Sequence, residues 1–224
     1  MTEFEKQFRE VQELLEFNDF NQTIKRVIDF TLDTENIDFY TKTNEFLNWL
    51  DHNEKEDEDK KTRLKTLLDE LHAFLSKKEC HNHQTIISVK NLQKVYNASF
   101  GLGPINLDIK TGEIIGLVGE NGNGKTTLLR SLCGELHPTS GTINYQFQYD
   151  DLYDLRTKLV YIPQRTDTWR GSMYENLEFT ASCYGYSPEE NNLVVDLVIT
   201  RLGLRKFRRH YWNNLSSGYK MRFE

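Results

Sequence analysis

The sequence reads Gly119-Glu120-Asn121-Gly122-Asn123-Gly124-Lys125-Thr126-Thr127 directly after the apolar run Ile114–Val118. The spacing G-x-x-x-x-G-K-T is that of a phosphate-binding loop, which connects a buried strand to a helix. Glycines let the chain curl so that backbone N–H groups converge on an anion, and the N-terminus of the following helix adds a positive field. Lys125 is then predicted to reach the β- and γ-phosphates of a nucleotide, and the Thr126 hydroxyl to ligate Mg²⁺.

Length and composition place the chain among ordinary globular proteins. Its 224 residues suffice for one large or two small domains. No apolar run approaches the roughly 18 residues of a membrane-spanning helix, and the acidic N-terminus carries no secretory signal. The cysteines, Cys80, Cys133 and Cys183, are odd in number and scattered. They favour a reducing cytoplasm over a disulfide framework.

Charge changes sharply along the chain and predicts a domain boundary. Residues 1–84 contain 12 Lys and Arg against 20 Asp and Glu, whereas residues 85–224 contain 16 against 14. Neither part has the uniformly basic composition of a nucleic-acid-binding protein, so we expect no nucleic-acid partner. The boundary separates an acidic helical domain at 1–84 from an α/β nucleotide-binding domain at 85–224.

Residues 1–84 contain neither Pro nor Gly, so nothing in this segment forces a break in a helix. Apolar residues recur at helical spacing near the N-terminus and again from Leu64 to Leu75. We therefore predict three or four amphipathic helices in a small bundle. Asp51–Lys61 is nearly all charge and is interpreted as a solvated turn or helix start, with a binding tail as the alternative. Cys80–His83 is interpreted as a linker, because a structural zinc site needs a second pair of ligands.

The remainder of the chain alternates short apolar runs with helical patterns, which indicates an α/β fold. The predicted strands lie at Ile86–Val89, Ile105–Ile109, Ile114–Val118, Ile143–Phe147 and Leu159–Ile162. The predicted helices lie at Thr126–Leu136, Met173–Tyr184 and Pro188–Leu202.

Further motifs flank the phosphate loop in a characteristic order. Tyr96 lies upstream, just before Gly101–Leu107. Tyr161-Ile162-Pro163-Gln164 follows the loop, and Asn214–Lys220 comes after a helical stretch. Together these motifs resemble the nucleotide-binding domain of ATP-binding cassette (ABC) proteins, over the whole chain from residue 86. The resemblance implies a P-loop NTPase fold of the ABC type and a Mg²⁺-ATP ligand.

The resemblance also implies roles for individual residues. Tyr96 matches the aromatic that stacks on adenine, although a plain strand-edge tyrosine remains an alternative. Gln164 matches the glutamine that contacts Mg²⁺ and the attacking water, so Lys125 and Gln164 are the expected catalytic residues and Thr126 and Gln164 the expected metal contacts. The expected nucleotide contacts within the loop are Gly119, Asn121, Gly122, Gly124, Lys125, Thr126 and Thr127.

Ser216, Ser217 and Gly218 match the signature segment, which caps the γ-phosphate of a second nucleotide-binding domain in a head-to-tail dimer. The helix that is expected to begin at this segment would favour an anion at its N-terminus. The family pattern L-S-G-G-Q reads Leu215-Ser216-Ser217-Gly218-Tyr219 here. This departure weakens the prediction of signature-dependent dimerisation, not that of the family.

A second departure concerns the catalytic glutamate. In the family an apolar strand ending in Asp-Glu and a switch histidine follow the signature, and neither occurs up to Glu224. The sequence is therefore interpreted as truncated within the nucleotide-binding domain, with the expectation that it is inactive and poorly soluble alone. Two upstream acidic stretches are not replacements: Leu193–Asp196 has helical spacing, and Tyr149–Asp151 has the composition of a turn.

The expected function is that of a cytoplasmic ATP-binding subunit at the inner face of a membrane, which drives transport through a separate membrane-spanning subunit. Gly171–Phe179 and Tyr184–Ser187 most resemble the export-type branch. The alternative is a non-catalytic nucleotide-binding interaction module in which the helical domain is the working part. Another P-loop class, such as a GTPase or a kinase, lacks support, because no N-K-x-D segment is present.

Overall fold

The computed structural model describes residues 2–53, 56–78, 84–97, 100–162 and 170–223. The helices are α1 (Glu3–Glu16), α2 (Phe20–Asp33), α3 (Ile37–Leu50), α4 (Asp57–Leu75), α5 (Lys125–Leu132), α6 (Leu152–Lys158), α7 (Met173–Cys183), α8 (Pro188–Arg201) and α9 (Ser217–Phe223). The strands are β1 (Thr85–Asn97), β2 (Phe100–Lys110) and β3 (Ser140–Tyr145), and short 3₁₀ helices lie at Arg205–Phe207 and Trp212–Asn214.

The chain divides into two compact units. One comprises Met1–Glu79 with Thr166–Glu224, and the other comprises Cys80–Arg165. The first break lies close to the boundary predicted at residue 84. The structure differs after residue 165, because the C-terminal helices group with the N-terminal ones instead of with the strands. The independent folding of residues 1–84 stays a prediction.

Four helices, α1 to α4, form in the segment for which the sequence predicts three or four, and side-chain caps begin most of them. Thr2, Asp19 and Asn36 each accept a hydrogen bond from a backbone N–H in the first turn of α1, α2 and α3. Such caps satisfy N–H groups that have no partner inside the helix. No side-chain cap begins α4, but three acidic residues in its first turn suit the helix dipole.

The core of this helical unit draws on helices from both ends of the chain. Its fully buried residues include Val11, Ile28, Leu64 and Leu71 from α1, α2 and α4. Val194 and Leu197 of α8 are buried in the same core. Because α8 contributes to it directly, helices α1 to α4 do not enclose their apolar faces without α8.

Helices α7 and α8 both begin with a complete capping box. Ser172 pairs reciprocally with Glu175, and Ser187 with Glu190. Both helices confirm the predictions for Met173–Tyr184 and Pro188–Leu202. The Leu193–Asp196 stretch lies within α8, which confirms its predicted helical character.

The second unit contains an antiparallel sheet in the order β2-β1-β3, with α5 packed on it. Its core consists of Ile87, Val89, Leu92, Leu128 and Leu132. Three of the predicted strands are confirmed by β1, β2 and β3. The predicted helix after the phosphate loop is confirmed in type but ends at Leu132, shortly before Gly134, whose positive φ of 69° is typical of a residue that ends a helix.

Two predicted strands are wrong in this structure. Ile114–Val118 and Leu159–Ile162 lie in irregular conformations. Ile114 and Val118 are each 97% exposed, and Ile162 is 73% exposed. Within the described ranges no strand pairs with either segment. A parallel-type strand is stable only when neighbours cover both its edges and its faces.

The Tyr149–Asp151 stretch is not part of a strand, as its turn composition predicts. Asp151 caps α6 by accepting hydrogen bonds at 2.8 Å from the backbone N–H groups of Tyr153 and Asp154. The sequence analysis missed α6, which is only seven residues long. In the part of the chain that the structure describes, no helix is both long and apolar enough to cross a membrane.

Candidate functional site

The loop before α5 has the backbone geometry of a phosphate cradle. Gly122 and Gly124 adopt φ values of 90° and 78°, a left-handed region that other residues rarely occupy. Gly124 is the N-cap residue of α5, and the N–H groups at the start of that helix have no acceptor within it. Gly122 and Gly124 are therefore required by the backbone, and the N-terminus of α5 suits an anion.

The side chain of Leu102 in β2 lies against Gly124. A Cβ atom added at Gly124 would lie 2.8 Å from Cδ1 of Leu102. This distance is shorter than real Cβ contacts allow. The positive φ thus selects glycine at this position, and the contact with the end of the Leu102 side chain, which can move, adds a smaller constraint.

Lys125 bonds to the loop that its own motif forms. Its Nζ donates to the carbonyl oxygens of Gly119 and Glu120, both at 2.7 Å. The two carbonyls fix the ammonium group beside the loop glycines. The Lys125 ammonium therefore lies where it can contact a phosphate group bound by the N–H groups of the loop.

Tyr96 lies next to the start of α5, although it is far from the loop in sequence. Its hydroxyl lies 3.5 Å from Oγ1 of Thr127, and its ring is half exposed. Nζ of Lys94 lies 5.7 Å from the ring centroid, within cation–π range. The structure thus brings the predicted aromatic and the phosphate loop together, while the stacking role of Tyr96 stays a prediction.

Helix α5 anchors the loop to the sheet. Leu128 and Leu132 are buried against β1, and the Ser131 hydroxyl donates to the Thr127 carbonyl at 2.8 Å. The Tyr145 hydroxyl of β3 donates to the Leu132 carbonyl at 2.9 Å. Burial, more than the nearby Cys133 and Tyr149, raises the pKa of Tyr145 to about 12, so its hydroxyl remains a donor at physiological pH.

The residues around the loop fit a nucleotide with Mg²⁺. Thr126 is exposed in the first turn of α5, so its hydroxyl is accessible to a cation. Across the described residues, His, Cys, Asp and Glu do not gather in groups of three or more. Mg²⁺ in phosphate sites is commonly held by one or two protein oxygens together with phosphate oxygens and water, which this arrangement can supply.

The signature residues Ser216, Ser217 and Gly218 lie in the other compact unit and are exposed. Helix α9 begins at Ser217, as expected, and the Ser216 carbonyl accepts a hydrogen bond from the Lys220 N–H at 3.0 Å. A Cβ atom added at Gly218 would meet no atom within 4 Å. Packing inside the described chain does not require glycine there.

The signature segment is anchored through Leu215 to a separate hydrophobic core. Leu215 is buried with Met173, Ile199, Leu204 and Trp212. Tyr219, which departs from the family pattern, packs on this core with its ring 4.5 Å from that of Phe207. The aromatic at this position therefore supports α9 from its own unit.

Gln164 lies outside the described residues, as do Cys80–His83 of the predicted linker. Of the predicted site residues, the structure brings together Tyr96 and the loop residues. Gly119, Asn121 and Gly122 are exposed along that loop, whereas Thr127 is buried at its end.

Comparison with known proteins agrees with this geometry. The family model described as "ABC transporter" matches residues 102–224, more than half of the chain. The chain belongs to the ABC transporter family. The match includes both the phosphate loop and the signature segment, so the departures at Ser217 and Tyr219 are variations within the family.

Curated relatives of this ABC family chain are ATP-binding proteins. It is 35% identical over 148 residues to the methionine import ATP-binding protein MetN 1 of Acinetobacter baylyi, which covers 61% of the chain and 41% of the relative. It is 31% identical over 142 residues to the bacitracin transport ATP-binding protein BcrA of Enterococcus faecalis, covering 61% and 44%. The chain thus spans less than half the length of these relatives.

Solved structures show the same fold relationship. An ATP-binding subunit of an ABC transporter superposes with a TM-score of 0.55 at 25% identity, covering 62% of this chain and 59% of that one. CbiO1 from Clostridium perfringens, described as part of the transporter complex cbiONQ, gives 0.50 at 26% identity, with the same coverage. These structures confirm the P-loop NTPase fold of the ABC type.

Sequence reasoning missed two residues that shape the site. Leu102 contacts the position of Gly124, and Lys94 lies over the Tyr96 ring. Lys94 could have been found, because residues two apart on a strand share one face. Nothing in the local sequence connects Leu102 with a glycine that follows it by more than twenty residues.

Proposed function

We propose that this chain is the ATP-binding part of an ABC transporter. The observation that carries the proposal is the phosphate loop, with Gly122 and Gly124 at positive φ and Lys125 anchored beside them. Membership of the ABC transporter family supports ATP as the ligand of this phosphate site. The named relatives are ATP-binding proteins of transport systems, which supports the same reading.

Within this proposal each group has a separate task. The N–H groups of the loop and of α5 bind the β- and γ-phosphates, and Lys125 neutralises their charge. The Thr126 hydroxyl ligates Mg²⁺, which supplies charge stabilisation for phosphoryl transfer when it is bound. Tyr96 presents an aromatic face near Thr127 for the adenine ring, and Gln164 orients Mg²⁺ and water as a catalytic residue.

The proposed partners are a second nucleotide-binding domain and a separate membrane-spanning subunit. Ser216, Ser217 and Gly218 would cap the γ-phosphate bound by the other copy, and the open surroundings of Gly218 suit such an approach. The solved relative CbiO1 is part of a larger transporter complex. This arrangement would place the chain in the cytoplasm, at the inner face of the membrane.

The export-type assignment remains a proposal that rests on the residues from Gly171 to Ser187. MetN 1, a relative named for import, shows that the family match alone leaves the direction of transport open. We further propose that the 224-residue polypeptide binds ATP without turning it over. No residue of the sequence matches the catalytic glutamate: Leu193–Asp196 lies within α8, and Asp151 caps α6.

Titration with a fluorescent ATP analogue in the presence of Mg²⁺ tests nucleotide binding. Lys125→Ala is expected to weaken binding at least about tenfold, because a charge-assisted hydrogen bond contributes roughly 1.5–3 kcal/mol. Lys65→Ala, which removes an exposed cation of α4, is the matched control and should bind like the wild type. Equal affinities for the wild type and Lys125→Ala would refute the proposed site.

A phosphate-release assay then separates binding from turnover. With Lys125→Ala as the blank, the polypeptide is expected to release no Lys125-dependent phosphate. Turnover at a rate typical of complete ATPases would show that a residue within the chain serves as the base. Strong binding without phosphate release would also fit the non-catalytic interaction module, in which the helical domain is the working part.

A further inference from the structure

The segment 201–223 differs in charge from the rest of the molecule. It contains seven Lys and Arg residues and no Asp or Glu, in a chain whose net charge is −6. The segment leads from the end of α8 to the end of α9 and lies wholly within the helical unit. Such a concentration of positive charge on an acidic protein requires a physical explanation.

Two of the seven cations serve the fold itself. Arg201 donates to the carboxylate of Asp29 at 2.6 and 3.2 Å. Arg205 donates to Asp51 and Asn48 of α3 and its loop at 2.8–3.1 Å. These arginines hold α8 and the following turn against the N-terminal helices, and we assign them no further role.

Other basic side chains of the segment border cavities. Lys206, Arg208, Arg209 and His210 line a cavity of about 500 Å³, together with Asp51 and Arg205. Arg208 and Arg209 also border a neighbouring cavity of about 390 Å³ with Ser172, Tyr174 and Asp196. Among the described residues, no carboxylate lies within salt-bridge distance of Arg208 or Arg209.

The carboxylates in these two cavities are fewer than the basic side chains. Asp51 is already bound by Arg205. Asp196 is half-buried, and burial raises its pKa, whereas the charges of Arg205 and Arg208 lower it. Arg208 and Arg209 therefore border the cavities without a carboxylate in salt-bridge range among the described residues, beside one paired and one half-buried carboxylate.

Backbone hydrogen bonds to the start of α7 hold residues 206–211, the turn that carries these basic side chains. The Met173 and Tyr174 N–H groups donate to the carbonyls of His210 and Arg208, both at 3.1 Å. The Phe207 ring packs against Tyr219. Tyr211, at the end of the turn, is 61% exposed, while the adjacent Trp212 is buried. The turn thus presents its cations and one exposed aromatic from a fixed frame.

We propose that Arg208, Arg209, Lys206, His210 and Tyr211 form a docking surface for the anionic headgroups of a phospholipid membrane. The docking proposal rests on the proposed function in one respect, because a transporter subunit works beside a lipid surface. Basic residues are attracted to an anionic leaflet, by about 1 kcal/mol each. Tyrosine is favoured at the membrane interface, where its ring is apolar and its hydroxyl remains wet.

The distribution of charge favours a lipid surface over other anions. The basic side chains border two adjacent openings and do not converge on one point, which suits several headgroups better than one phosphate. The acidic surplus lies in residues 1–84, which carry 20 Asp and Glu against 12 Lys and Arg. This surplus disfavours the long polyanionic contact that nucleic acid needs.

Vesicle flotation with the whole chain tests the proposal, because aggregated protein sediments while vesicle-bound protein floats. We expect flotation with vesicles that contain about 30 mol % phosphatidylserine and none with pure phosphatidylcholine. Arg208→Glu with Arg209→Glu should reduce the bound fraction at least about tenfold. The matched control, Arg9→Glu with Lys65→Glu, makes the same change in net charge on exposed positions of α1 and α4 and should bind like the wild type.

Equal flotation of the two double variants, or no flotation of the wild type on anionic vesicles, would overturn the proposal. Inorganic phosphate at about 10 mM should release the protein from the vesicles no more than NaCl of equal ionic strength does. Release by phosphate alone would overturn the proposal in favour of a discrete phosphate pocket. Circular dichroism should give identical spectra for the two double variants, since neither Arg208 nor Arg209 holds a salt bridge within the described residues.

The same variants separate this proposal from the nucleotide site. Arg208→Glu with Arg209→Glu should retain binding of the fluorescent ATP analogue, and Lys125→Ala should retain flotation. Loss of analogue binding in Lys125→Ala with unchanged flotation supports two independent surfaces. Loss of both properties in either variant would contradict the assignment.

Discussion

Arg205 donates hydrogen bonds from Nε and Nη2 to the carboxylate oxygens of Asp51, at 2.9–3.1 Å. The two residues are 154 positions apart in the sequence. The same guanidinium donates to Asn48 at 2.8 Å and to the Thr200 hydroxyl at 3.1 Å. Its side chain is only 11% exposed. This geometry joins the turn before the signature segment to the end of α3.

Arg205→Ala is expected to lower the free energy of unfolding by about 1–2 kcal/mol, because it removes several charge-assisted hydrogen bonds while solvent can still hydrate Asp51. Urea denaturation of the wild type, Arg205→Ala, Asp51→Ala and the double variant measures the coupling. Arg205→Lys should not restore stability, since an ammonium cannot reproduce the forked contacts. Strict additivity of the two alanine variants would contradict the pairing.

The shared core of α8 and the N-terminal helices gives a second prediction. Leu197 is fully buried among residues of α2 and α3. Leu197→Ala should destabilise the chain by about 2–5 kcal/mol through lost burial and the cavity that remains. Leu152→Ala, at a 45% exposed position, is the control and should change stability little. Thermal melts followed by circular dichroism give both values.

Residues 1–84 expressed alone should be helical by circular dichroism, because α1 to α4 carry their own periodicity and three of them their own side-chain caps. The isolated segment should melt at a lower temperature than the helical signal of the whole chain, since Val194 and Leu197 no longer complete its core. A random-coil spectrum would refute independent helix formation. A melt identical to that of the whole chain would show that α8 adds nothing.

Gly124→Ala tests the cradle. The substitution imposes a strained positive φ, which costs roughly 1–2 kcal/mol, and brings a Cβ atom within 2.8 Å of Leu102. Binding of the ATP analogue should fall at least about tenfold. Adding Leu102→Ala removes the clash but not the backbone strain, so the double variant should recover part of the affinity. Full recovery would show that the contact with Leu102, and not φ, selects glycine.

Asp196 gives a pH-dependent prediction. Burial raises its pKa in the folded state, partly opposed by Arg205 and Arg208, so the folded chain holds this proton more tightly than the unfolded chain. Its contribution to stability is therefore present at acidic pH and is lost as pH rises through the folded-state pKa. Asp196→Asn should raise the melting temperature at pH 8, and the gain should shrink as pH approaches 4. A gain that grows on acidification would contradict this sign.

The phosphate loop could be predicted almost completely from sequence, because its chemistry is local. Gly122 and Gly124 stand where positive φ is needed, and Lys125 follows at a fixed offset. Helices α1 to α4, α7 and α8 were predictable for the same reason, since periodicity and caps lie within a few residues of each helix. Helix α6 escaped prediction because its seven residues are too few to show a period.

The sequence by itself determined the motifs, the helices and the family resemblance, because each depends on residues close together in the chain. Only the tertiary structure decided that α8 joins the N-terminal helices, through contacts such as that of the Asn44 amide with the Leu193 carbonyl at 3.0 Å. It also decided that Ile114–Val118 and Leu159–Ile162 are not strands here. A strand forms only against a neighbour, and helices pack only where complementary faces meet, so distant residues settle both outcomes.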